Sequence, residues 1–229
     1  FFFSSRRRHT RFKCDWVQTC ALPICDVASA LGAHVTVFGI TPQYAAEFER
    51  RPNVRYVLST PENIAARLRD ADLLVGAVLR AGARAPHVVT EAMVASMPAG
   101  SVIVDVSIDQ GGCIATSRPT SHSSPVFVAH GVTHYCVTNM PGAYPRTATV
   151  ALTTATLPYV LGLAAGGLEA VAADAGFAKG VNVHAGKVRH AAVAEALGMQ
   201  QRYEPWPATS SGALAAAAQT PGTPTGRVP

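Results

Sequence analysis

Eleven residues, Val102 to Gly112 (VIVDVSIDQGG), constrain the fold of this chain more than any other stretch. Val102, Ile103, Val104 and Val106 form the β-branched run expected of a strand buried on both faces of a parallel sheet. The run gives way to Asp109, Gln110, Gly111 and Gly112, where the backbone must turn tightly. In open α/β sheets, ligands lie outside the carboxyl ends of the strands. An acid in that position, beside glycines that admit close backbone approach, is a candidate for work on a bound cofactor. Asp109 also reads as a residue that merely caps its turn through its own side chain, and the strand alone favours that second reading.

The flanking text repeats the pattern. Asp26 to Gly32 reads as the tail of a helix closed by glycine, and His34 to Phe38 as a strand. Pro42 to Arg51 is expected to be helical and Val54 to Leu58 a strand. Ser59 or Thr60 then caps a helix from Pro61 to about Asp70, with Glu62 in its first turn and Ile64 and Leu68 on one face. Leu73 to Val78 is a strand, Val88 to Met97 a helix closed by Pro98 and Gly100, and His134 to Thr138 the last strand. Strands alternating with helices of this length imply βαβ units and a parallel sheet. The fold class is α/β: a partial Rossmann-type, doubly wound parallel sheet followed by C-terminal helices.

The net charge of +5 would suggest a nucleic-acid partner if it were spread over the body of the chain. It is not. Residues 1–25 hold Arg6, Arg7, Arg8, Arg11 and Lys13 against Asp15 alone, which leaves the remainder nearly neutral. No nucleic-acid partner is expected. Residues 1–25 have neither helical nor strand periodicity, and they resemble translated sequencing-adapter runs. They offer no apolar stretch long enough for a secretory signal. Cys14, Cys20 and Cys25 lack the pairing of a zinc site. The segment is set aside from the fold as non-native. No GxGxxG opens the first helix, because this segment stands where that strand and loop belong.

Beyond the sheet, Thr147 to Leu168 carries no charge and is long enough to be weighed as a membrane span. Five threonines, Pro158 and glycines 162, 166 and 167 interrupt it. A buried helix connecting domains is the better reading, and no membrane partner is expected. Ala170 to Ala178 and Val188 to Leu197 read as further helices. Tyr203 to Pro229, rich in Pro, Thr, Ser, Ala and Gly, reads as part of a disordered tail.

VDVSIDQGGC (Val104 to Cys113), SRPTSH (Ser117 to His122) and HYCVTNMPGAYPRTATVALTTATLPYV (His134 to Val160) together resemble the alanine dehydrogenases, within the wider alanine dehydrogenase and pyridine-nucleotide transhydrogenase family. The resemblance runs from about Asp26 to Met199. It implies a cytoplasmic, NAD-linked enzyme that interconverts L-alanine with pyruvate and ammonia, in a homo-oligomer that the resemblance makes a hexamer. Asp109 matches the catalytic aspartate, which assists proton transfer and imine hydrolysis as a general acid/base where a cofactor pocket raises its pKa. Val78 and Leu79 match the backbone turn over the ribose side, and Val106 lines the same cleft. Asn139 and Met140 match the pair that closes over the nicotinamide, and Ser59 matches a serine near the adenine. With the resemblance left aside, packing or turn formation is the competing reading for each of these except Asp109, and packing is the better reading for Val78, Leu79 and Val106.

The division that follows is residues 1–25 non-native, 26–142 an incomplete NAD-binding domain, 143–199 helices belonging to the substrate domain, and 200–229 a disordered tail. Gly39 stands where the family has an acid that holds the adenosine ribose, which should weaken NAD binding and relax discrimination against NADP. The family's substrate-binding arginine and its catalytic lysine and histidine belong to a domain expected to be missing, so the chain reads as an enzyme fragment, inactive alone. Two alternatives stay open: a transhydrogenase alpha-type domain, although that sister family has Glu at the place of Asp109, and a non-catalytic nucleotide-binding or oligomerisation module. His122, His130, His134, Cys113 and Cys136 fit no metal-ligand spacing, and no metal is expected.

Overall fold

The structure is a computed structural model that describes residues 11–15, 21–80 and 84–206. The chain divides into two compact units after Ala143.

In the first unit the order is strand β1 (Arg11–Asp15), helix α1 (Ala21–Ala30), β2 (His34–Gly39), a 3-10 turn leading into α2 (Ala45–Phe48), β3 (Val54–Leu58) and α3 (Pro61–Leu68). There follow β4 (Leu73–Gly76), α4 (Glu91–Ala95), β5 (Val102–Asp105), a 3-10 turn over Val106–Gln110, β6 (Val126–Ala129) and β7 (Val132–Tyr135). The sheet order is β3-β2-β1-β4-β5-β7-β6, with every pair parallel except β6 with β7. Order reverses between β1 and β4, and that crevice is where doubly wound sheets take their ligands.

Local chemistry explains most boundaries. Thr60 caps α3 by accepting the Asn63 amide at 3.2 Å, and Pro61 is preset for a first helical position. Ile64 and Leu68 are buried, contributing about 1.5–3 kcal/mol each relative to exposure. The helix expected from Val88 begins only at Glu91. The Val88 and Val89 amides instead donate to the Cys113 carbonyl at 2.8 and 3.4 Å, and Thr90 becomes the cap. β6 was not expected. It pairs with β7 across His130 (φ 52) and Gly131 (φ 73), a two-residue turn with both φ angles positive, the geometry that suits a hairpin.

Setting residues 1–25 aside from the fold fails for part of that segment. Arg11–Asp15 form the strand between β2 and β4, and Cys25 of α1 is fully buried with Val35, Val37 and Val75. The physical reason is the sheet itself: without β1, both β2 and β4 would present an unpaired edge. Residues 1–10 and 16–20 lie outside the described residues.

The second unit opens with α5 (Pro145–Ala173), interrupted at Gly167 (φ 55, ψ −140), followed by α6 (Ala175–Ala178). A small hairpin of β8 (Val183–His184) and β9 (Lys187–Val188) leads to α7 (Ala191–Ala196). Within this chain the long apolar helix is largely exposed. Of α5, only Val171 is buried, and Leu152 and Leu161 are 65% and 58% exposed. Phe177 of α6 meets Tyr159 of α5 edge-on, with ring centroids 5.2 Å apart. Among the described residues α5 is also the one helix long and apolar enough to cross a membrane. The tail expected to be disordered from residue 200 is ordered to Trp206. Glu204 receives the Arg189 guanidinium at 2.8 Å, and its amide bonds the Val188 carbonyl. Residues 207–229 lie outside the described residues.

Candidate functional site

Six parallel strands end on one edge of the sheet, and the residues singled out in the sequence all follow those ends. Ser59 follows β3, Val78 and Leu79 follow β4, Val106 and Asp109 follow β5, and Asn139 and Met140 follow β7. The structure ties three of these four loops together by hydrogen bonds. The Ser107 hydroxyl donates to the Val78 carbonyl at 2.7 Å. The Gln110 side chain accepts the Arg80 amide at 3.3 Å, and its carbonyl accepts the Ala85 amide at 3.0 Å. Asp109 Oδ1 accepts the Asn139 amide at 3.2 Å.

Asp109 is exposed, and among the described residues its Oδ2 carries no hydrogen bond. The carboxylate thus stands at the carboxyl edge with one oxygen tethered and the other open to a ligand. Asn139 has φ 54, a left-handed conformation that asparagine tolerates better than most residues. Its carbonyl accepts from His122 Nε2 at 3.2 Å and from the Gly142 amide at 2.8 Å. Met140 is half-buried at the start of a 3-10 turn. Val78 has its side chain in the core and can offer a ligand only backbone, whereas Leu79 is 45% exposed. Val106 is half-buried.

Ser59 is not brought to this group. Its amide donates to the Gly39 carbonyl at 2.9 Å, which places both residues at the ends of β2 and β3. Four strand spacings separate β3 from β5, roughly 19 Å. Gly39 ends β2 in extended conformation, so nothing in its backbone demands glycine.

Sequence reasoning passed over Asp105, Ser107 and Gln110, which build the turn around Asp109. Asp105 is fully buried and accepts the amides of Ser107 and Cys113, each at 3.0 Å. Its signal was present: an acid inside a β-branched run has to be held by donors if it is buried.

His134, on β7, is fully buried. Nδ1 donates to the Val132 carbonyl at 3.0 Å, so Nε2 accepts the Thr116 hydroxyl at 2.8 Å. Phe127 stacks on the ring at 4.8 Å, and the Arg118 guanidinium lies over the Phe127 ring, 4.1 Å from its centroid. Burial holds the His134 imidazole below its usual value of about 6.5, while the nearby Asp105 pulls the other way. A depressed folded value means that the unfolded chain takes the proton first. Stability present above pH 6.5 is therefore lost as pH falls towards the folded value, by up to about 1.4 kcal/mol per pH unit. Melting temperature should fall between pH 7 and pH 5, and His134→Gln should flatten that fall. An unchanged pH dependence in the variant would remove His134 as its source.

Residues 21–191 match the family model described as alanine dehydrogenase/PNT, C-terminal domain. An alanine dehydrogenase of Halomonas elongata is 49% identical over 177 residues, covering 76% of this chain and 48% of that protein. One from Lysinibacillus sphaericus is 48% identical over 177 residues, with the same shares. A solved L-alanine dehydrogenase superposes with a TM-score of 0.70 at 41% identity, covering 82% of this chain and 53% of its own. A transhydrogenase from Sinorhizobium meliloti superposes at 0.65 with 22% identity, over 80% of this chain and 50% of its own, a likeness of fold. The chain spans about half the length of the curated relatives it matches.

Proposed function

Because the chain belongs to the alanine dehydrogenase/PNT C-terminal domain family, we propose that it is the nucleotide-binding part of an NAD-dependent L-alanine dehydrogenase. The reaction converts L-alanine, NAD and water to pyruvate, ammonia and NADH. The observation that carries the reading is Asp109, held at the carboxyl edge by Asn139 with one oxygen open. NAD would supply the hydride acceptor. Asp109 would exchange a proton with the reacting amino acid, as a positioned acid/base. Asn139 and Met140 would close over the nicotinamide, with Val106 and the backbone of Val78 and Leu79 along the adjoining ribose. Ser59 would lie near the adenine, at the far end of an extended dinucleotide.

The fit differs along the cofactor. The residues near Asp109 suit the nicotinamide end. At the adenosine end, β2 closes on Gly39 and offers no carboxylate for the ribose hydroxyls. Between β1 and α1 the sequence Trp16 to Cys20 has no glycine, where these folds bring backbone up to the pyrophosphate. We assign the working enzyme to the cytoplasm, as a homo-oligomer, with α5 connecting domains.

The test is a chimera in which the first half of an alanine dehydrogenase relative, through its own glycine loop, precedes residues 26–229. Purified chimera should form NADH in the presence of L-alanine and NAD. A folded chimera without alanine-dependent NADH would end this reading. In the same chimera Gly39→Asp should tighten NAD binding more than NADP binding. A carboxylate bonded to ribose hydroxyls is worth on the order of 1.5–3 kcal/mol. Titration with both nucleotides decides it: unchanged NAD affinity would show that another residue already holds the ribose.

A further inference from the structure

Asp105 ends β5 fully buried, and among the described residues no Lys or Arg forms an ion pair with it. Oδ1 accepts the Ser107 amide and Oδ2 the Cys113 amide, each at 3.0 Å, and the Cys113 thiol lies 3.6 Å from Oδ1. Those two amides bracket the whole turn that presents Asp109. Inside the bracket, the Gly111 and Gly112 amides bond the carbonyls of Ile108 and Ser107, both at 3.0 Å. Gly112 has φ +80, and a Cβ there would come within 3.0 Å of Asp105 Oδ2. The glycine is what lets the carboxylate reach the Cys113 amide.

A neutral Asn or Ser could cap a turn with far less desolvation than a buried carboxylate. What the charge adds is stronger bonds at both ends of the turn, since charge-assisted hydrogen bonds are roughly twice as strong as neutral ones. We propose that Asp105 is the positioning residue for Asp109: a buried clamp from Ser107 to Cys113 that fixes where the Asp109 carboxylate stands. The contact between Asp109 and the Asn139 amide depends on that clamp. The proposal rests on the reading of Asp109 as the group that exchanges the proton.

Asp105→Asn keeps the volume but turns one acceptor into an N–H that faces an amide donor. In the 229-residue chain, hydrogen exchange should quicken across residues 106–113 and stay unchanged across α3. A uniform rise, or none, would overturn the clamp. The consequence for chemistry is read in the chimera. There Asp105→Asn should lower kcat about 10²-fold, the scale of a small misplacement, with the KM for L-alanine changed by less than about twofold. Placed on Asp109→Asn, the same change should cost no more than about twofold, because residues acting through one another are not additive. Equal losses in both backgrounds would make Asp105 a structural residue only. Should Asp105→Asn fail to fold, Gly112→Ala strains the clamp from the turn side and must show the same non-additivity. An inactive parent chimera would sink the dehydrogenase reading while the exchange measurement still judged the clamp.

Discussion

Asp109→Asn in the chimera should lower turnover with L-alanine and NAD at least ~100-fold, the lower range for losing a positioned acid/base. Asparagine is close in size and its carbonyl oxygen can still accept the Asn139 amide, so the 3.2 Å tether between the β5 and β7 loops survives. What disappears is the ability to take up and return a proton. Loss of turnover should therefore come with little change in melting temperature or in nucleotide affinity. Steady-state kinetics beside thermal unfolding and NAD titration separate these effects. Turnover near that of the parent would reduce Asp109 to a turn residue, the reading that the strand alone favours.

The 229 residues alone should show no alanine-dependent NADH formation and should self-associate. Hydride transfer needs nicotinamide and amino acid held in contact, and that positioning supplies much of the rate. The sequence Trp16 to Cys20 contains none of the glycines that admit a pyrophosphate to a helix N-terminus, and Gly39 leaves the ribose without its acid. In the second unit, Val150, Leu152, Leu157, Val160, Leu161 and Leu163 of α5 are each 46–65% exposed. A contiguous apolar surface of this kind favours association. Light scattering alongside the assay tests both parts. Clear turnover from a monodisperse monomer would overturn them together.

Much of the sheet was legible because its strands are written in β-branched residues: His34 to Phe38, Val54 to Leu58 and Val102 to Val106 all lie on or beside observed strands. Helix α3 was legible through its cap. β1 was not, because Arg11, Lys13 and Asp15 give no sign of a central strand, and the pairing demands of β2 and β4 outweigh local composition. β6 was overlooked although His130–Gly131 carries a hairpin signal. The burial of α5 could not be read from its own residues, since burial depends on what else is there to cover a helix. At the site, the position of Asp109 after β5 was legible. Asp105 was overlooked although an acid in a β-branched run signals buried donors; which donors hold it, the Ser107 and Cys113 amides, follows from the fold of the turn and not from composition.

If the carboxyl edge of the sheet is one nucleotide site, NAD should leave a footprint there and nowhere else. Hydrogen exchange of the chimera with saturating NAD should slow at residues 58–60, 78–80, 106–112 and 138–141. The opposite edge, around His34, Asn53 and Arg55, should exchange at its unliganded rate. Protection confined to that opposite edge, or none in the four loops while NAD is bound, would show that the cofactor sits elsewhere and that Asp109 does not face it.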